Sequence, residues 1–307
     1  MEKCVITAAL TGGVHGKEAN PNIPYTPEEF AEEVHKCWNS GCSIVHIHCR
    51  DDQGKPTGHI PRMKETLDAI RAKTPEIIIN ISTAIGPGVT TEQRIAPVTE
   101  LKPDMASLNT NSMNFGIVDH RAKKILLDGI FENTFSMLTD FGKKMKEVGT
   151  KPEFEAYDLG GIYNVLFFRD FDVWEEPMHF QFVFGVFGGL SFTPLTYLDM
   201  KSVLPQGATW STCGVGPPNQ LPAAMMSAIT GGHIRVGLED NVRDLDKELA
   251  KGSWQQVEYA VQICKLASRE VASPAEAREI LKQVSVVPVS SMDEGVREAI
   301  RLSKGGA

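Results

Sequence analysis

The chain has 307 residues, 42% of them apolar, and a formal net charge of −8. That is the balance of a soluble globular protein long enough to bury a large core, and without a Lys/Arg stripe it excludes a nucleic-acid-binding surface. No apolar run reaches the length of a membrane span, and Met1-Glu2-Lys3 leads into a strand-like run rather than a signal peptide, so a cytoplasmic protein is expected.

Short β-rich apolar runs alternate with longer amphipathic ones. The chain opens on a predicted strand, Cys4–Thr11. Thr26-Pro27-Glu28-Glu29 then starts a helix, with an N-cap, a proline at N1 and acids in the first turn. Phe30, Val34, Cys37 and Trp38 follow at helical spacing. Next come strand Ser43–Cys49 with helix Ile60–Lys73, strand Ile77–Ser82 with helix Thr91–Leu101, and strand Met105–Asn109 with helix Phe131–Val148. Strand Phe154–Tyr157 precedes helix Leu159–Phe168, strand Phe180–Gly185 precedes helix Pro194–Leu204, and strand Thr209–Cys213 precedes helix Gln220–Thr230. Strand Ile234–Leu238 is followed by helices Val242–Leu249, Trp254–Ala272 and Pro274–Gln283, and the tail Gly305-Gly306-Ala307 is expected to be disordered. The six cysteines form no CxxC pair and several lie in apolar runs, as reduced, buried thiols would.

Eight strands, each followed by a helix, predict an α/β fold: a single (β/α)8 TIM barrel over residues 1–307 with extra C-terminal helices. A doubly wound open sheet is the alternative. Against it, no GxGxxG follows the first strand, and polar residues cluster after many strands instead of one switch point.

In a barrel, chemistry sits at the C-terminal ends of the strands. Those ends carry Thr11, His46, His48, Ser82, Ser107, Asn109, Glu155, Arg235, Glu239 and Asp240. His46 and His48 alternate with Val45 and Ile47, so both imidazoles project from one face of a buried strand. Each then needs a polar partner or a metal. An HxH pair plus a carboxylate is a three-ligand catalytic zinc set, and Glu239, ending the eighth strand, is the candidate third ligand. Zn²⁺ suits the two imidazoles, with Mn²⁺ and Fe²⁺ still open; the bland alternative for Glu239 is a surface acid opening a helix. Arg235 shares a strand face with Gly237 and Glu239. Buried, it needs carboxylates, which Glu155 and Asp240 can supply as a catalytic network or as a purely structural one. Ser82 and Ser107 offer rim hydroxyls or simple loop caps, and His233, set deeper, reads as structural. The glycines Gly86, Gly88, Gly214 and Gly216 lie in βα loops that can hold an anion or merely turn.

These residues resemble a known family. Thr7-Ala8-Ala9-Leu10-Thr11-Gly12, Pro24-Tyr25-Thr26-Pro27-Glu28-Glu29, His46-Ile47-His48-Cys49-Arg50-Asp51-Asp52, Ile81-Ser82-Thr83, Met105-Ala106-Ser107-Leu108-Asn109, Pro152-Glu153-Phe154-Glu155, Gly185-Val186-Phe187-Gly188-Gly189 and the run Gly231 to Asn241 are similar, in order, to the β-keto acid cleavage enzymes. The resemblance implies a homo-oligomeric (dimeric or tetrameric) zinc-dependent barrel. Its reaction is a transferase one, in which a β-keto acid and acetyl-CoA give acetoacetate and a new acyl-CoA. It further implies His46, His48 and Glu239 as zinc ligands, Asp240, Arg235 and Glu155 as the catalytic network, and Ser82, Ser107, Asn109 and Val14 as substrate contacts. Val14 stands where a family member acting on an amino-substituted keto acid has a glutamate, so a different β-keto acid is expected here. The stretch Gly214 to Gln220, with Pro217-Pro218, lacks an arginine often found after its second glycine, which bears on CoA binding.

The expected chemistry is a metal-stabilised enolate, Asp240 as base, and retro-Claisen cleavage without a covalent enzyme intermediate. A metal-dependent aldolase or decarboxylase needing no CoA is the rival enzyme, and an inert metal-binding or metabolite-sensing barrel the rival without catalysis.

Overall fold

In a computed structural model of the chain, residues 1–86, 88–119 and 122–282 are described. Eight parallel strands close on themselves: β1 (Ile6–Thr11), β2 (Ile44–Ile47), β3 (Ile78–Ile81), β4 (Met105–Asn109), β7 (Lys151–Ala156), β8 (His179–Phe184), β9 (Thr209–Gly214) and β10 (His233–Val236), with β10 pairing back onto β1. The intervening strands β5 (Met113–Asp119) and β6 (Lys124–Phe131) form an antiparallel hairpin outside the barrel.

The outer ring is α1 (Pro27–Ser40), α2 (Ile60–Lys73), α3 (Thr91–Leu101), α4 (Phe135–Val148), α5 (Leu159–Phe167), α6 (Pro194–Ser202), α7 (Pro217–Thr230) and α8 (Ser253–Leu266). Their starts follow local chemistry. Thr26 caps α1 and Glu29 reaches back to the cap, and Thr90 with Gln93 does the same for α3. Gly41 and Gly149 end α1 and α4 in the left-handed region.

Strand alternation divides the side chains into two sets. Ile6, Ala8 and Leu10 of β1, Val45 and Ile47 of β2, and Phe180, Phe182 and Phe184 of β8 face outward and form the main core with the helices. Each fully buried aliphatic or aromatic side chain there contributes about 1.5–3 kcal/mol. At the base of the barrel the inward set is apolar, where Val5, Ile44, Ile78 and Met105 pack against Ala272, Ala277 and Leu281. The extra helix α9 (Pro274–Leu281), capped by Ser273 and Glu276, therefore plugs the N-terminal end of the barrel. Above that plug the interior is largely polar, with His46, Asn80, Ser107, Glu153, Gln181, Ser211 and Arg235 all buried and a small apolar patch of Val183 and Cys213.

Four expectations are corrected. The predicted helix Phe131–Val148 starts at Phe135, after Thr134 as its N-cap, and Phe131 ends the hairpin, which sequence reading missed. Residues Val242–Leu249 form no helix: Asp244 accepts the Asp246 and Glu248 N–H groups, Lys247 turns left-handed (φ 67°), and Arg243 bridges Leu249. The helix predicted over Trp254–Ala272 ends at Leu266, because Ser268 turns left-handed (φ 54°) and Val271 then pairs with Cys4. The helix predicted from Gln220 begins three residues earlier, with Pro217 and Pro218 in the first turn of α7. Gln283 and the tail 305–307 lie outside the described residues. All six cysteines are free and buried. Among the described residues no helix is long and apolar enough to cross a membrane.

Candidate active site

The predicted residues converge at the C-terminal mouth of the barrel. Register explains why. Ala9 of β1 is opposite His46 of β2, and Thr7 is opposite Arg235 of β10. Strand β1 thus brings the second and eighth barrel strands to either side of itself. Beyond β10 the chain turns at Gly237 (φ 146°), where a Cβ would lie 2.0 Å from the Ala9 carbonyl oxygen, so only glycine fits. The turn is held by Glu239 N–H donating to Ala9 O (3.2 Å) and by Gly237 N–H donating to Gln256 Oε1 (2.8 Å). It delivers the Glu239 carboxylate between the imidazoles. Gly12 lies against it on the other side, where a Cβ would be 2.6 Å from Glu239 Cγ.

The His46 Nε2 is 3.7 Å from Glu239 Oε2, and the His48 Nε2 is 3.5 Å from Glu239 Oε1. The two rings meet edge to face with centroids 5.4 Å apart. One ligand atom from each of the three residues lies within 4.8 Å of the others. Burial drives the His46 pKa down to about 3, so this ring offers a neutral nitrogen at neutral pH. Burial pushes the Glu239 carboxyl up, but the Arg235 guanidinium and the two imidazoles outweigh it and hold the group below the usual carboxylate range. Its Oε2 is buried and has no hydrogen-bond partner among the described residues. A divalent cation would satisfy that oxygen and both Nε2 atoms, and two imidazoles with one carboxylate are a donor set suited to zinc.

Beside this triplet Arg235 is clamped by three carboxylates. Its Nε and Nη2 donate to Asp240 Oδ2 and Oδ1 (3.0 and 2.9 Å), Nη2 also donates to Glu239 Oε1 (2.8 Å), and Nη1 donates to Glu155 Oε1 (3.1 Å). The guanidinium is 4% exposed, so these pairs work at low dielectric. Burial raises the Asp240 carboxyl above its ordinary value, against the pull of Arg235. Glu155 is pushed up to about 8, by burial first and by its carboxylate neighbours next, although Arg235 opposes the rise. Fully buried Glu153, bonded to Asn80, adds a fourth carboxyl group within electrostatic reach of the guanidinium. Such a surplus of negative charge also favours a bound cation.

The substrate-side residues are placed less uniformly. Ser82 lines a small recess with His48, Thr57, Met63 and Ile85, and its Oγ accepts the Ala84 N–H (3.1 Å). Ser107 is fully buried rather than at the rim, and its Oγ accepts the Thr83 N–H (3.2 Å). Asn109 accepts from the Tyr157 hydroxyl (2.7 Å) and leaves a buried Nδ2 without a partner among the described residues. Val14 is 49% exposed, on the loop after β1. Arg50 fastens that loop through the carbonyls of Gly12 and His15, Thr11 Oγ1 and Gly54 O, which commits it to backbone rather than to a ligand. Thr11 is thereby drawn into the clamp. His233 is structural as expected, its Nδ1 accepting the Val5 N–H (3.1 Å).

Sequence reading passed over Asn80, Glu153 and Tyr157 as site residues. The signal was parity: Asn80 is two residues before Ser82, and Glu153 and Tyr157 are two either side of Glu155.

A closed (β/α)8 barrel that gathers such residues at the C-terminal ends of its strands is built as an enzyme. Comparison with known proteins gives its family. The profile of the beta-keto acid cleavage enzymes matches residues 3–282. The 3-keto-5-aminohexanoate cleavage enzyme of Fusobacterium nucleatum is 42% identical over 282 residues, covering 92% of this chain and 98% of that protein. A protein of Paraburkholderia graminis named 3,5-dioxohexanoate:acetyl-CoA acetone transferase is 34% identical, with 91% and 96% covered. The apo structure of ObcA shares the fold with a TM-score of 0.70 at 20% identity, over 85% of this chain and 66% of that longer one. The chain belongs to the beta-keto acid cleavage enzyme family.

Proposed function

We propose that the protein is a zinc-dependent enzyme that converts a β-keto acid and acetyl-CoA into acetoacetate and a new acyl-CoA. The observation that carries this reading is the meeting of His46, His48 and Glu239 beside an Asp240 that Arg235 holds by both oxygens. His46, His48 and Glu239 would hold the zinc, which when bound withdraws electron density from the ketone and carboxylate oxygens of a β-keto acid and so acidifies its C2 protons.

The chain's own residues then supply the proton chemistry. Asp240 takes a C2 proton, helped by the burial that raises its basicity. Arg235 fixes the direction of that carboxylate and is itself fixed by Glu155. C2 attacks the acetyl-CoA carbonyl, a carbon–carbon bond forms and the CoA thiolate leaves. The thiolate attacks the original ketone carbon, the C2–C3 bond breaks, and the departing acetoacetate carbanion recovers its proton from Asp240. Ser82 and Asn109 Nδ2 are donors placed for substrate oxygens, with Ser107 supporting the strand-end loop beneath them. Val14 offers no charge to a substrate ammonium, so an uncharged or apolar tail is the expected substrate class.

The test is release of acetoacetate from a panel of β-keto acids, with and without acetyl-CoA, together with zinc content of wild type and His48→Ala. About one zinc per chain, lost in the variant, with turnover that requires acetyl-CoA, is expected. Turnover independent of acetyl-CoA would instead indicate an aldolase or decarboxylase.

A further inference from the structure

Beneath the ligand triplet lies a layer of buried polar groups that the proposed reaction does not use. Glu153 of β7 is fully buried. Its Oε2 accepts the Asn80 Nδ2–H at 2.7 Å. That bond decides which way the Asn80 amide faces, since a carboxylate oxygen selects the NH2 side. The amide oxygen is thereby turned away from Glu153.

Asn80 and His46 are register partners across β3 and β2, so their inward side chains sit side by side on the barrel wall. The Asn80 Oδ1 and the His46 Nδ1 are both buried, and both lack a hydrogen-bond partner among the described residues. An orphan acceptor and an orphan ring nitrogen on neighbouring positions are complementary. Leaving both unpaired would cost each group its desolvation penalty with nothing in return. The other His46 nitrogen, Nε2, is the one 3.7 Å from Glu239. A neutral imidazole carries one proton, and which nitrogen bears it is decided by the bond the other side makes.

We propose that Glu153 and Asn80 form a positioning relay, Glu153 to Asn80 to His46, that holds the His46 proton on Nδ1 and leaves the Nε2 lone pair facing the metal. The relay rests on the zinc reading above. Glu155 cannot take this part, because Arg235 already occupies it. Neither relay residue touches substrate; both act through His46.

The relay is tested by zinc affinity, measured by chelator competition, and by two-bond ¹H–¹⁵N spectra of the histidines in metal-free protein, with His46 assigned through His46→Gln. Wild type should show the Nδ1–H tautomer at His46, and Asn80→Leu should move it to Nε2–H. Asn80→Leu and Glu153→Leu should weaken zinc binding about 10–100-fold. Glu153→Gln keeps an oxygen for Asn80 and should stay within a few-fold of wild type, a distinction that general loss of packing would not make. An Nε2–H tautomer in wild type, or wild-type zinc affinity in Asn80→Leu, overturns the relay. No zinc binding by wild type overturns the metal reading, and the tautomer of the metal-free protein still decides the relay. Should Glu153→Leu fail to fold, Asn80→Leu and the wild-type spectrum carry the result.

Discussion

Replacing Arg235 by methionine keeps the volume and deletes the charge. The guanidinium donates four hydrogen bonds to Asp240, Glu239 and Glu155, at 2.8–3.1 Å. Removing one partner of a buried ion pair costs about 3–5 kcal/mol, because the remaining charge is left in low dielectric. Here three carboxylates are left, which argues against a value below that range. Glu155, already raised to about 8, relieves part of the loss by holding a proton. For a chain of this size roughly 2 °C of melting temperature follows each kcal/mol, so metal-free Arg235→Met should melt roughly 6–10 °C below wild type. Without Arg235, Glu239 loses the main charge that holds it below its unfolded pKa, and the folded-state pKa values of Asp240 and Glu155 rise further above their unfolded values. A group shifted that way stabilises below its unfolded pKa and loses that contribution as pH rises through the folded one. The deficit should therefore shrink in acid and widen above neutrality. Zinc should narrow it, since a dication takes over part of the neutralisation of Glu239. Thermal denaturation of metal-free and zinc-loaded protein across pH measures all three effects. An unchanged melting temperature in the metal-free variant near neutral pH would refute the electrostatic reading of this site.

Asp240→Asn should lower kcat about 10²–10⁴-fold by removing the proposed base, with substrate affinity little changed; near-normal turnover would remove Asp240 from that role. Glu33, buried in α1, accepts the Ser253 and Trp254 N–H groups at the start of α8, and burial raises its carboxyl pKa against those two donors. Its stabilising contribution is present below the unfolded value near 4.5 and fades as pH rises through the folded one. Glu33→Gln keeps the accepting oxygen, so denaturant titrations should show a flatter decline of stability above that pH than in wild type, and identical slopes would contradict the assignment. Gly237→Ala puts a Cβ 2.0 Å from Ala9 O at a φ of 146°. It should cost about 1–3 kcal/mol and reduce zinc content by displacing Glu239; unaltered melting and full metal content would show that the turn tolerates the side chain.

Where side-chain pattern and local chemistry agree, the fold is legible in the chain itself. The βα alternation, the Thr26 capping box and the HxH spacing depend on neighbours within a turn or a strand, and all are where the residues put them. The failures have separate physical sources. The hairpin, with β5 mostly half-buried and β6 mostly exposed, lacks a clean two-residue alternation, so the pattern predicts no strand over it and assigns its last residue, Phe131, to the following helix. The segment after β10 has helical composition, but Asp244 spends its side chain on a loop and removes the helix.

The sequence alone therefore determined the candidate ligand types, their strand parity and the barrel class, because periodicity is a local property of the backbone. Closure of β10 onto β1 decided that residues nearly two hundred positions apart in sequence face one another. It also decided that Arg235 is shared among three carboxylates, that Ser107 is buried, and that Asn80 stands between Glu153 and His46. Burial, register and charge neutralisation are relations between distant segments, and they come into being only when the sheet closes.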